Sequence, residues 1–142
     1  MGLVDCCRQQ VVAVSPDTSI LDVARVMEEK NVGSVMIVRG EKPEGIITDR
    51  DIVLRVCAKG MAMDSVRVED VMTKNLITLK DDTGIYEAIE RIKDAGIRRM
   101  PIVDDAGMLI GIITLDDVIR MIGEEMANIA ENIEKQSPPL PR

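Results

Sequence analysis

Hydrophobic residues recur along this chain in two rhythms, and the pair of rhythms occurs twice. Ile20, Val23, Ala24 and Met27 stand at i, i+3, i+4 and i+7, the spacing of one helix face, and Ile85, Ala88, Ile89 and Ile92 repeat it. β-Branched runs flank each helix. Residues 11–14 and 76–79 predict a first strand, and residues 34–38 and 99–103 a second. A third strand carries Gly45-Ile46-Ile47-Thr48 or Gly111-Ile112-Ile113-Thr114 into a second helical pattern, over residues 49–59 or 115–123. Pro16-Asp17-Thr18-Ser19 and Asp81-Asp82-Thr83-Gly84 supply turn and N-cap chemistry, and Ser19 with Asp22 has capping-box spacing. Asn31 and Gly96 are residues that end helices.

Placed at an offset of 65, Leu3 falls on Val68, Asp17 on Asp82, Thr18 on Thr83 and Ile37-Val38 on Ile102-Val103. One extra residue near Gly107 moves the offset to 66, and Thr48 and Asp51 then meet Thr114 and Asp117. A register kept over so many identities means an internal duplication. The predicted fold class is α/β: two tandem β-α-β-β-α repeats packed with pseudo-two-fold symmetry, plus a C-terminal helical extension. The expected divisions are residues 3–60 for the first repeat, 61–123 for the linker and second repeat, and 124–142 for the extension and a Pro-rich tail. Residues 60–67 read as linker, and 68–72 as a short helical turn leading into the second half.

Met121, Ile122, Met126, Ile129 and Ile133 lie close to a helical stripe on the extension, which has no counterpart in the first half. It either folds back on its own domain or docks on another subunit. Ser137-Pro138-Pro139-Leu140-Pro141-Arg142 cannot be helical and is expected to be disordered.

Composition narrows the function. The chain has 142 residues, is 46% hydrophobic, and contains no Phe, no Trp and one Tyr. Its core must be aliphatic, and a flat ligand must lie between aliphatic side chains. The lack of aromatic platforms and a formal charge of -7 argue against nucleic acid. Cys6, Cys7 and Cys57 show no metal-ligand spacing and there is no His, so the cysteines read as small buried hydrophobes and no metal is expected. No apolar run is long enough to span a bilayer and no signal-peptide pattern follows Met1, so the expectation is a soluble cytoplasmic protein without a membrane partner.

The repeated corner, Gly-Ile-Ile-Thr-x-x-Asp, carries the candidate chemistry. A strand that feeds a helix N-terminus presents unpaired N–H groups and the positive end of the helix dipole, which suit an anion. Thr at N-cap with an acidic residue at N3 is also a capping box, which explains the spacing without a ligand. Asp51 and Asp117 would repel a phosphate, but a carboxylate is a good acceptor for a ribose diol. Arg98 and Arg99 enter the second strand of the second half, where the first half has Gly33 and Ser34; Arg50 lies inside the first corner, where the second has Asp116. The two sites are therefore not equivalent. No catalytic set is visible: there is no His, no activated Cys neighbourhood and no Gly-rich phosphate loop.

Over residues 3–123 the chain resembles the cystathionine-β-synthase-type (CBS) domain in its usual tandem pair. The resemblance rests on Val12 to Ile20, on Arg99-Met100-Pro101-Ile102-Val103-Asp104, and on the two corners in register. It implies a stand-alone regulatory module for adenine nucleotides (AMP, ADP or ATP), not an enzyme, assembled as a flat homodimer that signals to a downstream protein. It also implies site roles. The preferred second site would take phosphate at Arg98, Arg99 and Thr114, ribose at Asp117 beside Asp116, and the base against Cys7, Val12 and Val32. The first site would use Thr48, Arg50 and Asp51, with the base against Met72, Ile77 and Ile97 and a hydroxyl from Thr78. Two rival readings keep the fold: a ligand-free dimerisation module, or clefts for S-adenosylmethionine or a dinucleotide.

Overall fold

The computed structural model describes Leu3 and residues 10–136. Its elements are β1 (Ala13–Val14), α1 (Ile20–Lys30), β2 (Ser34–Arg39), β3 (Lys42–Thr48), α2 (Asp49–Ile52), β4 (Leu79–Lys80), α3 (Ile85–Ala95), β5 (Arg99–Val103), β6 (Leu109–Thr114) and α4 (Leu115–Gln136). The two halves form separate three-stranded sheets, β1-β2-β3 and β4-β5-β6, each with a parallel first pair and an antiparallel second pair. Matching registers join Ser34 to Thr48 and Arg99 to Thr114, and the ladder slips at Ile37/Val38 and again at Ile102/Val103. The duplication is thus a duplication of backbone pairing.

Local chemistry explains the helix ends. Ser19 Oγ accepts from Asp22 N–H at 3.1 Å, while the Asp22 carboxylate turns to Arg25 (3.4 Å) and does not complete a capping box. Asn31 and Gly96 close α1 and α3 in the left-handed conformation, at φ 53° and 64°. Four expected elements differ. The first strands shrink to two residues each, because only Ala13 and Val14, or Leu79 and Lys80, find ladder partners. The helix expected over residues 49–59 is α-helical only to Ile52 and continues as a π-helix, Val53–Cys57, with Ala58 N–H bonded to Val53 O at 2.8 Å. The helix expected to stop at Gly123 runs unbroken to Gln136: one glycine costs a helix only about 1 kcal/mol, and the next proline is Pro138.

Each half has its own core. Ile20, Val23, Ile37, Ile47 and Val56 centre the first, and Leu79, Ala88, Met100, Ile102 and Ile113 the second. The first apolar residue of each repeat packs into the other repeat's core. Leu3 is buried in the second, whereas Val68 and Met72 are buried in the first. The linker is equally engaged: Ile20 and Leu21 N–H groups at the start of α1 donate to Val66 O and Met63 O (2.9 Å each). Thr73 bridges the edge of β3 through Ile46.

Two expectations about the surface change. Cys57, expected to be buried, is exposed at the end of the π-turn while neighbouring Val56 fills the core; Cys6 and Cys7 lie outside the described residues. The C-terminal stripe does not fold back: Met121 packs on the second core, but every residue from 122 to 136 is exposed. The tail from Ser137 lies outside the described residues. No described helix is long and apolar enough to cross a membrane.

Candidate functional site

The strand–helix corners are built as the spacing predicts. Thr48 Oγ1 accepts from Asp51 N–H at 3.1 Å, and Asp51 Oδ2 accepts from Thr48 N–H at 3.0 Å. Thr114 and Asp117 repeat the exchange at 3.1 and 3.3 Å. The preceding strand closes each corner, since Asp49 N–H donates to Gly33 O (3.0 Å) and Leu115 N–H to Arg98 O (2.8 Å). In the first corner Arg50 N–H is also taken, by Asp49 Oδ1 at 2.8 Å. The start of α2 therefore meets its own donors internally and holds none in reserve for an anion.

Both capping carboxylates carry a second partner. Asp51 Oδ1 lies 3.5 Å from Arg55 Nη2, and the same guanidinium donates to Val71 O at 2.7 Å, tying the corner to the turn that leads into the second half. Asp117 is 1% exposed and its Oδ1 lies 3.2 Å from Arg120 Nη2. Asp117 is a buried element of the corner, while its neighbour Asp116 faces solvent.

Between the halves lies a cavity of about 260 Å³, open to solvent. The first half contributes Gln10, Val11, Val12, Asn31, Val32, Gly33, Ser34 and Met36; the second contributes Arg98, Arg99, Ile112, Thr114 and Asp116. Of the second-site residues, Arg98, Arg99, Thr114, Asp116, Val12 and Val32 come together here. Asp117 does not line the cavity, and Cys7 lies outside the described residues. Register does much of this work, because pairing Arg99 with Thr114 sets a cation beside a hydroxyl in the cavity lining. Sequence reasoning passed over Gln10 and Asn31. The sequence marks Asn31 as a helix terminator, and its left-handed backbone at the end of α1 accompanies its place in the cavity wall.

The first-site residues are not gathered in the same way. Thr48 and Asp51 are occupied in their corner and Arg50 is exposed. Ile77 is exposed, Thr78 is half-buried, and Ile97 packs on the second core. Only Met72 borders a second cavity, of about 430 Å³, with Arg39, Glu44, Glu69, Asp70 and Lys74. Arg39 is committed there: Glu44 accepts from its Nε at 2.7 Å and raises the guanidinium's pKa.

Known proteins fit this geometry. The CBS domain matches residues 3–57 and again 68–124. An uncharacterised protein of Methanopyrus kandleri, MK0525, is 39% identical over 132 residues, 92% of this chain and 67% of its own length. The crystal structure of an uncharacterised conserved protein from Pyrococcus horikoshii superposes with a TM-score of 0.74 at 30% identity, covering 84% of this chain and 90% of that one. The CBS domain pair of protein MJ0100, solved in complex with 5′-methylthioadenosine and S-adenosyl-L-methionine, superposes at 0.73 with 26% identity, covering 86% and 99%. The twofold domain match, the paired sheets and the two corners together place this chain in the CBS-domain family, as a tandem pair.

Proposed function

We propose that this chain is a non-catalytic regulatory module that binds an adenine nucleotide, AMP, ADP or ATP, in the cavity between its repeats. The observation that carries the reading is the mixed lining of one cavity: the second half contributes Arg98, Arg99 and Thr114, and the first half contributes the apolar Val12, Val32 and Met36. Phosphate would meet the arginines, and the base would lie between aliphatic walls. Asp117 is the proposed ribose acceptor. Because Asp117 is buried and lies outside the cavity lining, contact with ribose requires the corner to open, with exposed Arg120 released. Signalling requires that ligand bind one conformation or one subunit geometry better than another. A homodimer is part of the proposal: Val53, Leu54, Ile119 and Ile122 are exposed apolar residues on the helices that follow the two corners.

A thermal melt of the full chain with AMP, ADP, ATP, NAD and S-adenosylmethionine in turn tests this. Ligand at a hundred times its dissociation constant stabilises by about 2.7 kcal/mol, a shift of several degrees or more. A selective shift by an adenine nucleotide is expected. No shift by any of the five at millimolar concentration would leave the corners as helix caps and favour a dimerisation module. A second reading has one specific support. Adjacent Arg98 and Asp116 present opposite charges, which suits the amino-acid end of S-adenosylmethionine, a ligand of the MJ0100 pair. A shift by that ligand alone would select it.

A further inference from the structure

We infer that Asp116 limits how much negative charge a ligand can bring into the cavity; the inference rests on the nucleotide reading above. Three equivalent positions of the two repeats carry it. Where the second half has Arg98, Arg99 and Asp116, the first has Gly33, Ser34 and Arg50. Both sets sum to one positive charge, but only the second places cations and an anion together, and all three of its residues line the cavity with Thr114.

Arg98 Nη2 lies 3.4 Å from Asp116 Oδ1, with the side chains 71% and 74% exposed. A pair so hydrated is weak and exchanges easily, so Arg98 can turn to a phosphate. Asp116 can rotate but keeps its place in the cavity wall. Its main chain is held between the Leu115 bond to Arg98 O and the Thr114–Asp117 capping box, and its short side chain has two rotors. A first phosphate meets two guanidinium groups. Every further anionic group must share those two with a carboxylate anchored beside them by its main chain, and its repulsion is felt over only a few ångströms of partly hydrated space. Asp116 also favours the first turn of α4 through the helix dipole. That contribution acts on folding and affects every ligand alike, so the distinguishing quantity is a ratio of affinities.

The test is calorimetric titration of the full chain and of Asp116→Asn with adenosine, AMP and ATP at one fixed low ionic strength. The expected result is a gain of about tenfold for ATP relative to adenosine in the variant, a smaller gain for AMP, and near-constant affinity for adenosine. The ATP gain should shrink in 0.5 M salt, where charges are screened beyond about 4 Å, and Asp116→Glu should behave like the parent. An equal change for all three ligands, or no change, overturns the inference and leaves the nucleotide reading standing. No binding of any of the three to either protein overturns the nucleotide reading, and the inference with it.

Discussion

Leu3 and Val68 stand 65 residues apart at matching positions of the duplication, and each is fully buried in the other repeat's core. The exchange ties the halves together more firmly than a linker could. Each core includes an apolar residue that the alignment assigns to the other repeat.

The exchange makes a stability prediction. Leu3→Ala should cost about 2–5 kcal/mol, the range for a buried leucine, although it lies at the chain's start, where truncation is usually harmless. Val68→Ala should destabilise the opposite core by a smaller amount. Denaturant melts measure both. A Leu3→Ala protein as stable as the parent would show that the second core closes without Leu3.

Gly45 makes a second. A Cβ there would overlap the side chain of Met72, itself buried in the first core. Gly45→Ala should cost about 1–3 kcal/mol as overpacking. Shortening Met72 to Ala in the same protein should return part of that loss, so the pair should be non-additive in a double-mutant cycle.

At the cavity, Arg99→Ala should weaken AMP or ATP far more than adenosine. Equal losses for nucleotide and nucleoside, read by titration, would remove Arg99 from the phosphate.

Asp117→Asn separates cap from ligand. The amide can still accept from Thr114 N–H, so the corner should persist with a loss of about 1 kcal/mol. Nucleotide binding should fall by at least tenfold if Asp117 meets the ribose diol. Unchanged affinity in a folded variant would return Asp117 to the role of helix cap alone.

The extended α4 bears on assembly. Ile122, Met126, Ile129 and Ile133 are spaced by four, three and four residues and are 41–65% exposed. That narrow stripe has the spacing of a helix-pair seam. A chain ending at Gly123 should have a smaller oligomeric mass by light scattering. An identical mass would show that the stripe takes no part in self-association.

Much of the site was legible because its parts are local. A capping box, a left-handed helix end and a strand alternation depend on residues two to four apart, so Thr48, Asp51, Thr114, Asp117, Asn31 and Gly96 announced their roles in one dimension. The duplication carried the next level: matching Gly33, Ser34 and Arg50 with Arg98, Arg99 and Asp116 marked the halves as electrostatically unequal before any coordinates.

What depends on distance along the chain was decided only by the tertiary structure. No periodicity says that Leu3 and Val68 trade cores, that the linker's carbonyls cap α1, or that Asp116 lines the cavity while Asp117 is buried beside it. Nor does it say that Arg98 rests against Asp116, or that the first-site residues fail to converge. The physical reason is the same throughout. Local hydrogen bonding chooses each element, but burial of apolar surface between elements chooses how two near-identical halves meet, and the cavity exists only where they do.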